Sequence, residues 1–195
     1  PAWTAPRQLE IEYPVGSEDA LEAKSFVSLT WRVNETPDVE TTLLLDVLCS
    51  ALVGTAAGPM RRALIDSQLG RDIFPPAAYD ADIRYAAVSF GLRGTEAERA
   101  DEIENVVEAT LRRLVAEGIP GDLLEAAFHQ VEFSGREIVP PFPVMLLMRA
   151  NPTWYFGADP KSGLSFADLV ERARERWARE PRLFEGLVER WLLEN

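Results

Sequence analysis

The amino-acid sequence predicts an α+β fold, a small antiparallel sheet with helices layered on one face. Three observations carry that prediction. Apolar and polar residues alternate with period two over Leu9–Tyr13, Val27–Val33 and Ile83–Leu92, the pattern of strands with one oily face. Between the second and third of these lies Leu43–Gly70, LLLDVLCSALVGTAAGPMRRALIDSQLG, a long apolar helix, a Gly-Pro turn and a shorter helix. From Thr95 onward the apolar spacing becomes that of amphipathic helices and continues to ERWLLEN at the C-terminus.

Taken in order, Leu9, Ile11 and Tyr13 alternate with Glu10 and Glu12, a strand ended by Pro14. After the loop Gly16–Ala23, Val27, Leu29, Trp31 and Val33 alternate with Ser28, Thr30 and Arg32, and these two strands are suited to pair. Thr36-Pro37 supplies a helix cap and a first-turn proline. Leu44, Val47, Leu48, Ala51 and Leu52 follow the i, i+3, i+4, i+7, i+8 rule, and Leu43 and Leu45 widen the stripe until the helix needs cover on most sides. Gly54 is placed to end it in a left-handed conformation, Pro59 to start the next helix after Gly58, and Gly70 to stop that one.

Pro75-Pro76 assigns the segment Arg71–Asp80 to a sheet edge or an irregular connection. Val88, Phe90 and Leu92 give the next strand its buried face. Thr95 is expected to cap a helix whose inner stripe is Ile103, Val106, Val107, Leu111 and Leu114, ended by Gly118. Pro120-Gly121-Asp122 starts another, with Leu124, Phe128, Val131 and Ile138 inward and Glu125, His129, Glu132 and Arg136 outward. Beyond Pro140–Pro143, Val144–Met148 reads as a short buried helix and the Trp154–Phe156 cluster as core, although an exposed apolar patch there, or on the terminal helix with Trp191, would mark a contact face. Two amphipathic helices close the chain, one with Phe166, Leu169, Val170, Ala173 and Trp177 inward, the other with Leu183, Phe184, Leu187, Val188, Trp191 and Leu192.

A chain of 195 residues is long enough for one core, removing about 70% of its unfolded surface from water, and one domain over residues 1–195 is expected. Twenty basic against 32 acidic residues give a net charge of -12, which opposes nonspecific binding to nucleic-acid phosphates. No apolar run has the length of a membrane span. The acidity is local. Residues 95–139 hold 11 acidic and 4 basic residues, a net of -7, whereas residues 160–195 hold 7 of each. That face is either solvated or aimed at basic peptides or a basic partner. The lone Cys49 reads as a small buried hydrophobe compatible with a reducing compartment, and a cytoplasmic setting is the expectation. PAWTAPRQLE carries no initiator methionine and no targeting pattern. Both ends suggest a piece cut from a longer polypeptide.

The one tempting motif for chemistry is His129-Gln-Val-Glu132-Phe133. An inverted zinc-peptidase helix reads His-x-x-Glu-His, placing two imidazoles and a carboxylate base on one face. Phe133 stands at the second histidine position and the chain has 1 histidine, so His129 reads as a surface residue one turn from Glu125 and Glu132. A hydrolase built on His129 is the remote reading. Gly91-Leu-Arg-Gly94 reads as a strand-end turn before it reads as a nucleic-acid clamp. Gly54–Pro59 lacks the Gly-Lys-Ser/Thr ending of a phosphate loop. Asp101, Glu102 and Glu104 are helix surface. No catalytic, cofactor-binding or metal-ligating residue is assigned.

Three segments together carry a resemblance: Leu43–Asp72, LLLDVLCSALVGTAAGPMRRALIDSQLGRD; Tyr85–Gly94, YAAVSFGLRG; and Leu114–Glu137, LVAEGIPGDLLEAAFHQVEFSGRE. In that order they resemble the non-catalytic second domain of presequence-protease-type zinc metallopeptidases of the insulinase (pitrilysin) superfamily, over nearly the whole chain. The resemblance implies an insulinase/mitochondrial-processing-peptidase-like metallohydrolase fold. It also implies a parent enzyme built of two bowl-shaped halves around a chamber in which unfolded peptides are cut. Zinc is then held by a His-x-x-Glu-His helix and a distal glutamate of a sister domain, with no cofactor in this chain. The partners implied are the other domains of that peptidase and its peptide substrate, not nucleic acid or membrane. The expected role is an inactive domain that walls the chamber and braces the zinc-bearing one; the alternative is a stand-alone scaffold or partner-binding subunit of the same fold. Departures from the pattern are Gly58, where serine is common, and Gln68, where glycine precedes Leu-Gly.

Overall fold

The computed structural model describes residues 5–16, 22–136, 141–162 and 164–194, without the side chain of Arg149. Ile138, Pro140 and most of the 16–23 loop lie outside these residues. The elements run β1 (Ser25–Glu35), α1 (Val39–Val53), α2 (Pro59–Asp66), β2 (Asp72–Ile73), β3 (Tyr79–Asp80), β4 (Tyr85–Thr95), a 3-10 turn (Ala97–Arg99), α3 (Ala100–Glu117), α4 (Gly121–Arg136), α5 (Phe142–Tyr155), α6 (Phe166–Arg179), α7 (Leu183–Val188) and a π turn (Glu189–Leu193). The α+β expectation holds.

β4 is the centre of the sheet. β1 runs antiparallel along one side of it, with Leu29 opposite Phe90 and Trp31 opposite Val88. The short β2 and β3 share its other side, with Pro75-Pro76 between them. Alternation decides the faces. Val33, Val88, Phe90 and Leu92 are buried and Val27, Leu29 and Trp31 pack against them, while Ser28, Thr30 and Arg32 are exposed. Gly91 allows the two long strands to meet, since a Cβ there would lie 2.0 Å from the Val27 carbonyl oxygen. The GxxG segment is therefore the last half of β4, not a turn after it.

α1 lies in the middle of the helical layer and packs against α2, α4 and α6. Nine of its residues, Leu43 to Val53 except Asp46 and Ser50, are buried, so it needs no polar face to be stable here. Its cap is Asp38, whose carboxylate accepts from the Thr41 N–H at 3.2 Å. The expected cap, Thr36, is buried and donates instead to the carbonyls of Ala81 and Ile83, which clips the approach to β4 onto the end of β1. β4 accordingly starts at Tyr85 and leaves Ile83 exposed.

Glycine roles shift in the same manner. Gly54 keeps a right-handed φ of -65° and α2 ends at Ser67. The left-handed residue after α2 is Gln68, with φ 56°. Gly70 has another function: a Cβ there would come within 2.8 Å of the Leu92 Cβ, so it lets the chain press onto β4. Pro59 opens α2 behind Gly58, as the sequence indicates. Thr95 ends β4 and donates to the Leu69 carbonyl at 2.6 Å, leaving the helical start to the 3-10 turn. α3 closes at Gly118, φ 92°.

Two expectations about cover are overturned. Residues 6–16 form no strand and pair with nothing in the sheet. Leu9 and Ile11 are 79% and 81% exposed, while Tyr13 is held by its hydroxyl to the Lys24 carbonyl and by its ring against Phe26. α5 is longer than expected, runs through Pro152 and is not buried. Val144, Met145, Leu147 and Met148 are exposed, and so are Trp154 and Tyr155. Of the terminal helices, Trp191 is half-buried against the core and so does not extend an open apolar surface.

Candidate functional site

The histidine motif falls on α4, whose buried side is Leu124, Ala127 and Phe128. That side packs on α1 and α6, which turns Glu125, His129 and Glu132 to the boundary with α6. Spacings of four and three residues set the three side chains one above another. The His129 Nε2 lies 3.3 Å from Glu125 Oε1.

Arg174 on α6 decides what this face can do. Its guanidinium donates to Glu125 Oε1 at 2.7 Å, lies 3.6 Å from Glu132 Oε2, and sits 4.7 Å above the Phe128 ring. Glu132 is held a second time by Arg136 at 2.7 Å. Both carboxylates are thus spent on fixed cations, and Phe133, at the position a second imidazole would need, is 69% exposed. A divalent ion requires free, deprotonated donors on one centre, and this set does not fit zinc. Among the described residues no three of His, Cys, Asp and Glu come together to hold a metal ion.

Two grooves of the described residues are shallow and open to solvent. One, about 470 Å³, is lined by Glu125, Arg174, Trp177, Ala178 and Pro181, the outer side of the same ion pair. The other, about 650 Å³, runs past Tyr13, Phe26, Arg71, Asp72 and Arg93. There Arg93 donates to Asp72 at 2.7 Å, and that hydrogen bond holds the Asp72 carboxyl below its ordinary value. Neither groove places an acid beside a base with a nucleophile in reach, the minimum for hydrolysis.

The buried titratable groups are equally unsuited to chemistry. Cys49 is buried on α1, and burial, then the charge of Asp46, pushes its thiol up, away from the thiolate that reactions need. Tyr79 is likewise pushed up by burial and donates to Asn34 Oδ1 at 3.2 Å. Asn34 in turn donates to Thr42 Oγ1 at 2.8 Å, a closed polar network that ties β3 to β1 and α1. Glu185, buried on α7, accepts from the Ile119 N–H at 2.8 Å just ahead of α4. These are positioning contacts. Asp101, Glu102 and Glu104 are exposed on α3, as the sequence indicates.

Sequence reasoning missed the roles of Arg174, Asn34 and Glu185. The first lies 49 residues from its partner, and a cross-helix ion pair leaves no periodic trace.

Similarity to other proteins points in one direction. The family described as the Peptidase M16 inactive domain matches residues 3–131. Presequence protease 1, chloroplastic/mitochondrial, of Arabidopsis thaliana is 29% identical over 199 residues, 99% of this chain and 18% of that protein. The mitochondrial presequence protease of Schizosaccharomyces pombe is 32% identical over 168 residues, 86% of this chain and 17% of its own length. The chain thus spans less than a fifth of the curated relatives it matches. Among solved structures, the inactive peptidase domain described for a zinc protease of Bordetella parapertussis superposes with a TM-score of 0.61 at 16% identity, covering 88% of each chain. A chain described as a zinc protease from Bordetella pertussis Tohama I gives 0.60 at 18% identity, covering 86% of this chain and 87% of that one. At such identities the likeness is one of fold.

Proposed function

We propose, from the premise that this chain belongs to the peptidase M16 inactive-domain family, that it is the non-catalytic domain of a zinc metalloendopeptidase that degrades peptides. In this reading the chain holds no zinc and cuts nothing alone. It forms part of the wall of the reaction chamber and braces a separate domain that carries the metal.

The observation that carries the reading is the state of the His129 face. The only histidine of the sequence stands on a helix whose two neighbouring carboxylates are neutralised by Arg174 and Arg136. A fold of this family without a free ligand set can serve the reaction only through shape and support, so the metal belongs to another part of the enzyme. The size of the relatives supports the same division, because the matched stretch is 18% and 17% of the two presequence proteases.

The experiment is to express the full-length product of the native gene and compare it with the 195-residue chain. Chelator-sensitive cleavage of an unstructured peptide by the full-length protein, tracking a His-x-x-Glu-His helix outside this chain, is the expected result. A full-length product with no such helix and no cleavage contradicts the reading and favours a stand-alone scaffold.

A further inference from the structure

α5 has two faces. Leu146, Ala150 and Thr153, spaced by four and three, turn inward, with Thr153 buried and its hydroxyl donating to the Ala150 carbonyl at 2.9 Å. On the solvent side lie Val144, Leu147, Met148, Asn151, Trp154 and Tyr155, a stripe spaced as one helix face and about 17 Å long. Five of the six are apolar or aromatic and are 44% to 78% exposed in company with Met145. None of the six is charged, in a chain that is 27% charged. A solvated helix carries its charges outward, and a contiguous apolar surface of this kind marks a contact.

Resting on the proposed function, we infer that this stripe of α5 is the surface on which the rest of the same peptidase chain docks. Three observations select that occupant. The relatives of this chain are about five times its length, so most of such a protein is available to cover it. The six positions of the stripe include neither lysine nor arginine, Arg149 being the one charged residue of α5, and the net charge of -12 opposes anionic membranes and nucleic acid alike. The stripe also matches what a permanent interface puts at its centre, Trp, Tyr and Met without charged residues.

Amide hydrogen exchange over residues 142–156 tests this, measured in the 195-residue chain and in the full-length product of its native gene. Docking predicts exchange at least tenfold slower in the full-length protein, and a return towards the faster rate in the full-length double variant Leu147→Ser/Trp154→Ser. Both positions are exposed, so the same double variant in the 195-residue chain should keep the wild-type melting temperature. Protection that appears elsewhere while residues 142–156 are unchanged overturns the assignment of this face and leaves the proposed function standing. No added protection anywhere overturns both. Slowing that already appears in the 195-residue chain and grows with its concentration assigns the stripe to a second copy and overturns the inference.

Discussion

Arg174 of α6 and Glu125 of α4 are joined at 2.7 Å, and the contact occupies one of the two carboxylates that flank His129. The same guanidinium covers Phe128 and approaches Glu132, so it acts as a clamp between two helices. The clamp is half-open to water, and exposed pairs contribute little. Arg174→Ala is expected to lower stability by about 1 kcal/mol, combining a screened ion pair with a partly exposed cation–π contact. His129→Ala should change it by less than about 0.5 kcal/mol, as surface substitutions do. Urea unfolding of both variants measures the contrast; a larger loss from His129→Ala would mean that the imidazole has a role not visible in its contacts.

Gln68 holds a left-handed conformation at φ 56°, with its side chain exposed. For a residue with a Cβ that conformation costs about 1–2 kcal/mol, while glycine adds unfolded-chain entropy of about 0.5–1 kcal/mol. Gln68→Gly should therefore stabilise the protein by about 0.5–1 kcal/mol, raising the melting temperature by about 1–4 °C. A lower melting temperature would contradict this.

This position also shows how far the sequence could be read. The departure from glycine at 68 is visible in the letters, but that it is Gln68, not Gly70, that bends the chain is set by how closely Gly70 approaches Leu92. The buried helix α1, the oily face of β1 and β4 and the stripe of α3 were legible because burial and periodicity coincide there. Leu9, Ile11 and the stripe of α5 misled for the opposite reason. An apolar pattern tells which side chains need cover, and reads identically whether the cover comes from this chain or from outside it. At the His129 face the letters show Phe133 and the single histidine, but not the cross-helix contact of Arg174 with Glu125.

Two aspartates should respond to acid with opposite signs. Asp72 is held below its ordinary 3.8 chiefly by the Arg93 hydrogen bond, so its contribution is present above that pH and is lost as pH falls through the lower folded value. Asp72→Asn should destabilise at pH 7 and be neutral in strong acid. Asp46 opens to solvent at one edge of α1, yet desolvation raises its carboxyl. Its ionised form costs stability as pH rises through the raised folded value, and Asp46→Asn should stabilise at pH 7 with the gain fading in acid. Denaturant midpoints at pH 7 and pH 3 check both, and parallel behaviour of the two variants would refute the assignment.

Cys49 should be silent in the folded protein. A thiol buried on α1 and raised by its surroundings presents neither access nor thiolate. A chromogenic disulfide reagent at pH 8 should find about no thiol in the native chain and one per chain in denaturant. Rapid native labelling would show that the helical layer over α1 opens.

We propose that this chain supports catalysis without performing it. Incubating the purified 195-residue chain with an unstructured peptide and added zinc tests that most directly. No cleavage above the protein-free control is expected, with or without the metal. Zinc-dependent cleavage that copurifies with the chain, stops with a chelator and disappears in His129→Ala would contradict it.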